Sequence, residues 1–315
     1  MKPTIKTFVK QNKNQLLILM LTWGIYITIM WQGMLYYNPT GDLMAGFRNI
    51  WGDWAMHISQ TQSLANQPLI FVLFNHPLYS GIPLTYPFII NYISSLFIKA
   101  GFSLVSAMII PSIIISWILL LNLYILSKTI LRSGNQALLA ITLFLTSGGL
   151  GFIYFIQDLQ TSFSLDNILY PIQEYTHMKS IGYWWTTTFT AHLVPQRALL
   201  LGMTVTLPII TILYRWYLSN FSTIRRQHMF YLGLATGLIA YVHTHTVIVM
   251  FLLSGFLALQ SINKIRFWLA YALGTILTAA PFIYLIQSSG NVNQPQILLG
   301  WLSNKQELNT PLILF

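Results

Sequence analysis

LTYPFIINYISSLFIK, residues 84–99, decides how this chain is threaded. The stretch is apolar enough for a membrane, but sixteen residues make a helix of only about 24 Å. A bilayer's hydrocarbon core is about 30 Å thick. Whether 84–99 crosses sets the side of everything after it, and the basic residues arbitrate, because Lys and Arg collect on the cytoplasmic side of membrane proteins. If 84–99 does not cross, the inside holds Lys2, Lys6, Lys10, Lys13, Lys128, Arg132, Arg215, Arg225, Arg226, Lys264 and Arg266, eleven of the sixteen basic residues. The outside then holds Arg48, Lys99, Lys179, Arg197 and Lys305. If it does cross, every later loop changes side and the split becomes even. The first threading is the expected one, with seven crossings and a cytoplasmic N-terminus.

Composition requires the membrane. The chain is 55% hydrophobic and 7% charged, with mean hydropathy +0.61. A water-facing surface draws on about 25% charged residues, so this chain cannot cover one. Crossing segments are expected at about 15–36, 103–127, 137–157, 196–217 and 267–288. The run 229–260 is too long for one crossing, about 48 Å as a helix. It reads as two short helices turning near His243-Thr244-His245. The net charge of +10 sits at the ends of apolar runs, so its partner is a lipid bilayer rather than nucleic acid. With no cysteine, disulfides, thiolate metal sites and cysteine nucleophiles are excluded. The expected architecture is all-α and polytopic, in a plasma or inner membrane. Residues 1–315 form one transmembrane domain, read as the N-terminal part of a longer protein because PLILF at 311–315 resembles the start of another span. Three long outer loops, 37–102, 158–195 and 289–310, interrupt it.

On this threading all six acids, Asp42, Asp53, Asp158, Asp166, Glu174 and Glu307, fall outside. Acids contribute little to orientation, so their asymmetry is independent information: the outer face carries the chemistry. In the first outer loop GDWAMHISQTQSLAN (residues 52–66) starts as a helix, with Asp53 at a cap or in the first turn. His57 follows four residues later on the same helix face. HPLYSGIPLTYPF then leads, through Tyr86-Pro87-Phe88, into the short helix of 84–99. Asp53 reads either as a helix cap partnered by His57 or as a catalytic or metal-binding carboxylate at the membrane surface.

A first span, an outer loop with an acid near a helix start, and a proline-aromatic motif opening a short membrane-edge helix resemble the GT-C superfamily of polyprenyl-phosphate-sugar-dependent glycosyltransferases, such as the protein O-mannosyltransferases and aminoarabinose transferases. GDWAMHISQ, SGIPLTYPF, TSGGLGF, HLVPQR and the His-Thr-His after GLATGLIAYV also look like an uncharacterised group of microbial membrane proteins on this plan. The family's paired acids are here Asp53 followed by Trp54, and its twin-proline motif is Tyr86-Pro87-Phe88. The resemblance implies a GT-C-like module of about seven transmembrane helices with interfacial helices in the first outer loop. It implies transfer of a sugar from a polyprenyl-linked donor to an acceptor that the sequence leaves unnamed.

In such an inverting displacement one carboxylate suffices as base, and Asp53 is the first choice. His57, Tyr86, Gln196 and Arg197 are the expected substrate-binding residues, with Arg197 meeting a lipid phosphate or anchoring at the headgroups. His243 and His245 could help hold a divalent metal (Mn²⁺, Mg²⁺ or Zn²⁺) or hydrogen-bond between helices. The other function class is a non-catalytic polytopic protein, a transporter, flippase or scaffold on the same plan. The absence of an internal repeat and of acids within spans weighs against a conduit.

Overall fold

The computed structural model describes residues 5–288 apart from 47–49, 80, 170, 179–180, 182 and 186. The expected outer segment 289–310, and with it Lys305 and Glu307, lies outside the described residues, as do Lys2, Arg48 and Lys179. Helix α1 (Ile5–Gln11) leads into one continuous rod over Lys13–Gln32, formed by α2 (Lys13–Leu19), a π-turn (Met20–Gly24) and α3 (Ile25–Gln32). A hairpin of β1 (Leu35–Tyr37) and β2 (Leu43–Ala45) follows, then α4 (Trp51–Asn66), α5 (Leu69–Phe74) and α6 (Ile89–Lys99). Next come α7 (Leu104–Leu131) and α8 (Gly134–Leu145). The second long connection holds α9 (Phe152–Thr161), α10 (Leu165–Leu169), a β3–β4 pair (His177–Met178 with Tyr183–Trp184) and a π-turn (Thr188–Leu193). Helices α11 (Arg197–Leu218), α12 (Arg226–Gly237), α13 (Thr244–Gln260) and α14 (Ile265–Ser288) complete the described residues, α12 being extended by a 3₁₀ turn over Leu238–Tyr241.

The described residues are all-α apart from these two small hairpins. Among the described residues four helices are long and apolar enough to cross a membrane: Lys13–Gln32, Leu104–Leu131, Arg197–Leu218 and Ile262–Ile286. Helix α6 has 11 residues, about 16 Å, shorter than the 84–99 helix of the sequence reading and short of the hydrocarbon core. The 229–260 run divides as expected: backbone hydrogen bonding changes over at Val242 and His243, and His243 is extended at φ −162°. The expected span over 137–157 is corrected. Its helix ends at Leu145, and Thr146-Ser147-Gly148-Gly149 turns the chain with Gly149 at φ +68°. A Cβ on Gly151 would stand 1.8 Å from the Tyr175 carbonyl oxygen. These small residues therefore end the helix and admit the second connection against its end.

Side-chain pairings fix the relative directions. Tyr124 donates to Asn12 Oδ1 at 2.9 Å, and Lys128 donates to the same oxygen. Trp31 donates to Ser116 at 2.9 Å, so the first rod runs antiparallel to α7. Gln15 meets Asn135 and Trp23 meets Thr142, so α8 runs parallel to that rod. Arg197 meets Met108, Asn122 reaches the Thr204 carbonyl, and Arg215 reaches Thr129, so α11 runs parallel to α7. Lys10, Lys13, Lys128 and Arg215 thus share one end of the bundle, and Arg132 follows directly from α7. The described acids lie on the connections at the other end.

Helices α12 and α14 make the closest pair. A Cβ on Gly233 would stand 2.1 Å from Tyr271 O, and one on Gly237 would stand 2.2 Å from Thr275 O. Small residues let backbones approach where lipid removes any hydrophobic drive to pack. Thr278 donates to Leu234 O at 2.9 Å and Tyr271 to Thr236 Oγ1 at 3.0 Å across this contact. The buried residues of α6 are mostly polar: Asn91, Ser94 and Ser95 beside Ile90, while Leu96 is exposed.

Candidate functional site

Helix α4 begins at Trp51, so Asp53 stands in its first turn, where a carboxylate is favoured by the free N–H groups. The cap position is Ile50, and Asp53 does not cap through its side chain. Asp53 is exposed, and desolvation by the protein around it still raises its carboxyl above the ordinary 3.8. Tyr86 faces it: burial first, then the Asp53 charge, raises the Tyr86 hydroxyl above 10.0. Tyr86 in turn lies edge-on to the His57 ring, centroids 5.9 Å apart at 70°. Asp53, Tyr86 and His57 therefore form one line from the surface of the first connection into the bundle.

His57 is wholly buried and does not pair with Asp53. Its Nδ1 meets Asn91 Oδ1 at 3.0 Å. Burial, then the Arg197 charge, pushes its pKa from 6.5 down to about 3, against a smaller upward pull from Asn91. The ring is neutral at every physiological pH. Asn91 Nδ2 donates to Gln60 Oε1 at 2.6 Å, linking α6 back to α4.

Arg197 closes the line from below, and here the expectation is corrected. Rather than standing at a membrane edge to meet a phosphate, it is 0% exposed. Its five N–H groups are all engaged. Nε donates to Ser112 Oγ (3.1 Å), Nη1 to Asn91 Oδ1 (3.5 Å) and Met108 Sδ (3.2 Å), and Nη2 to Ser94 Oγ (2.6 Å) and Met108 O (3.0 Å). None of these acceptors is a carboxylate. The guanidinium also lies 5.8 Å from the Trp54 ring centroid, and Trp54 stacks on Trp31 at 5.9 Å. A cation among dipoles and π-faces is held electrostatically without a counter-ion. Gln196, beside it, is exposed and makes no capping bond.

His243 packs against the same α11, where a Cβ on Gly202 would meet its Cβ at 2.7 Å. Its Nδ1 pairs with Thr246 Oγ1 at 2.7 Å. The His243 and His245 rings are 5.4 Å apart, but among the described residues no group of three His, Asp or Glu side chains comes together to hold a metal. His243 and His245 thus lie near the network without joining it. Tyr241, two residues before His243, packs in one apolar cluster with Tyr86, Leu84 and Phe88.

The sequence reading missed Gln60, Asn91, Ser94, Met108 and Ser112. The signal was present: 91, 94 and 95 recur at helical spacing in an apolar run, as do 112 and 116. No known protein family, curated protein or solved structure matches the chain.

Proposed function

We propose that this chain is a polytopic membrane glycosyltransferase on a seven-span, GT-C-like plan with a cytoplasmic N-terminus. It moves a sugar from a polyprenyl-phosphate-linked donor to an acceptor at the extracytoplasmic face. Asp53 is the general base of an inverting displacement. The observation that carries the reading is Asp53 itself: an exposed carboxylate, desolvated enough to raise its proton affinity, at the mouth of a buried polar line on the acid-bearing end of the bundle. A base with a raised pKa, placed where a hydroxyl can reach it, suits proton removal during attack. The alternating directions of the first rod, α7, α8 and α11 support a polytopic plan, and the count of seven rests on the distribution of basic residues rather than on helix length, since α8 has 12 residues and α6 has 11.

The alternative, a non-catalytic protein on the same plan, is favoured by one observation. Arg197, the cation expected to neutralise the leaving phosphate, is already saturated. The two readings separate in one experiment. Membranes carrying the wild-type chain are given a panel of radiolabelled polyprenyl-phosphate sugars, with Asp53→Asn beside them. Transfer by wild type, reduced about 10²-fold or more in the variant, supports the enzyme. Silence across the panel sinks it, and equal activity of the variant removes Asp53 from the mechanism.

A further inference from the structure

Two buried polar atoms on α4 have no partner among the described residues: His57 Nε2 and Gln60 Nε2. They lie three residues apart, within one helical turn, and both side chains meet the same Asn91. Orphaned polar atoms in a low-dielectric interior cost about 1–3 kcal/mol each, so two of them one helical turn apart, on side chains that share Asn91, point to a ligand.

The hydrogen-bond character of each atom follows from Arg197, which can only donate. Its Nη1 donates to Asn91, so the Asn91 atom there is the carbonyl oxygen. That oxygen also meets His57 Nδ1, which must therefore carry the proton, leaving Nε2 of the neutral ring as a bare lone pair. The Asn91 amide nitrogen donates to Gln60, so the Gln60 atom there is its oxygen, and the free Gln60 atom is a donor. One cation thus sets the polarity of every member. The result is one unpaired acceptor and one unpaired donor, which a hydroxyl group complements, since it donates once and accepts as well.

We infer that Arg197 is the positioning residue of a buried hydroxyl-binding subsite, in which His57 Nε2 accepts from, and Gln60 Nε2 donates to, a single hydroxyl group, either that of water or that of a sugar. Naming a sugar as one source rests on the proposed function; the subsite itself does not. An anion does not fit, because it would face the lone pair of His57. Tyr86, edge-on to His57 and open toward Asp53, marks the side from which a sugar would come.

The test uses the full chain in lipid nanodiscs, labelled with ¹⁵N-histidine and read by solid-state NMR, the His57 signals being assigned by their loss in His57→Phe. The expected result is one neutral tautomer, protonated at Nδ1 and bare at Nε2; a proton on Nε2 overturns the inference. In Arg197→Gln an obligate donor becomes an amide that can turn either way, and a mixture of tautomers is expected, whereas an unchanged single tautomer removes Arg197 from its role. Arg197→Lys, still donor-only, is expected to keep the single tautomer, and it carries the test if the Gln variant does not fold. Magnetisation transfer from water to Nε2 in the absence of sugar identifies water as the source. A shift of the Nε2 resonance on adding methyl glucopyranoside identifies a sugar hydroxyl. With neither, there is no hydroxyl subsite. Because the tautomer is read without any transfer reaction, an inactive protein with the expected tautomer defeats only the proposed function, and an active one with the other tautomer defeats only this inference.

Discussion

Gly237→Ala should destabilise this protein, although the same change inside most helices is favourable. The built Cβ would stand 2.1 Å from Thr278 Oγ1, 2.2 Å from Thr275 O and 3.0 Å from Ala279 N. Two of these neighbours are backbone atoms of α14, so no rotamer relieves the overlap. The helices must part locally by about 1 Å, and forced repacking of this kind costs about 1–3 kcal/mol. Parting also lengthens the Thr278 to Leu234 O bond, worth about 1 kcal/mol. Helix propensity returns up to about 1 kcal/mol, leaving a net loss of about 2 kcal/mol. Gly255, in the middle of α13, is the internal control: nothing lies within 4 Å of its built Cβ, so Gly255→Ala should gain about 0.5–1 kcal/mol. The two variants then differ by about 3 kcal/mol, more than a hundredfold in the folding equilibrium. Steric-trap unfolding in nanodiscs measures both. If Gly237→Ala proves as stable as Gly255→Ala, the close contact of α12 with α14 is not as described.

Arg197→Met should be at least as stable as Arg197→Lys: without the guanidinium, Asn91 Oδ1 keeps His57 and Met108 O keeps Ser112, so Ser94 alone loses its partner at about 1–3 kcal/mol, while Lys retains a buried charge with three donors in place of five. A thermal midpoint clearly higher for the Lys variant would refute this. Stability should fall in acid through His57. Its folded pKa is about 3 against 6.5 unfolded, so its contribution is complete above 6.5 and declines as pH drops toward 3, by about 1.4 kcal/mol per unit; His57→Phe should flatten that limb in a pH series of unfolding midpoints. Transfer activity, where measured, should decline in acid with a midpoint above 3.8, because Asp53 must be ionised and its carboxyl is raised; a limb at or below 3.8 points to another base.

The long apolar rods were legible because membrane thickness and the 1.5 Å helical rise leave little freedom over 104–131 or 197–218. The short helix of 84–99 and the break before His243 were legible for the same reason, since both are violations of a required length. The span over 137–157 was misread because hydropathy averages across Thr146 to Gly151, whereas the backbone responds to the left-handed Gly149 and to the close approach at Gly151. Asp53, His57 and Tyr86 were singled out by helical spacing, turn chemistry and the resemblance, and the structure sets the three beside one another. The role of Arg197 was not, because one letter cannot say whether a cation faces headgroups or serines. That answer lay in Ser94, Met108 and Ser112, which stand 103, 89 and 85 positions earlier in the chain.

The same separation constrains how the protein is made. The hydroxyls and carbonyl that receive Arg197 belong to α6 and α7, which leave the ribosome well before α11, and chains fold as they are synthesised, N-terminal parts first. An arginine entering lipid alone is strongly disfavoured. Helix α11 can therefore settle only onto a receptacle already built, so the guanidinium acts as a checkpoint on the order of insertion: a ribosome that delivered Arg197 before α6 had docked on α7 would leave that segment stranded at the translocon.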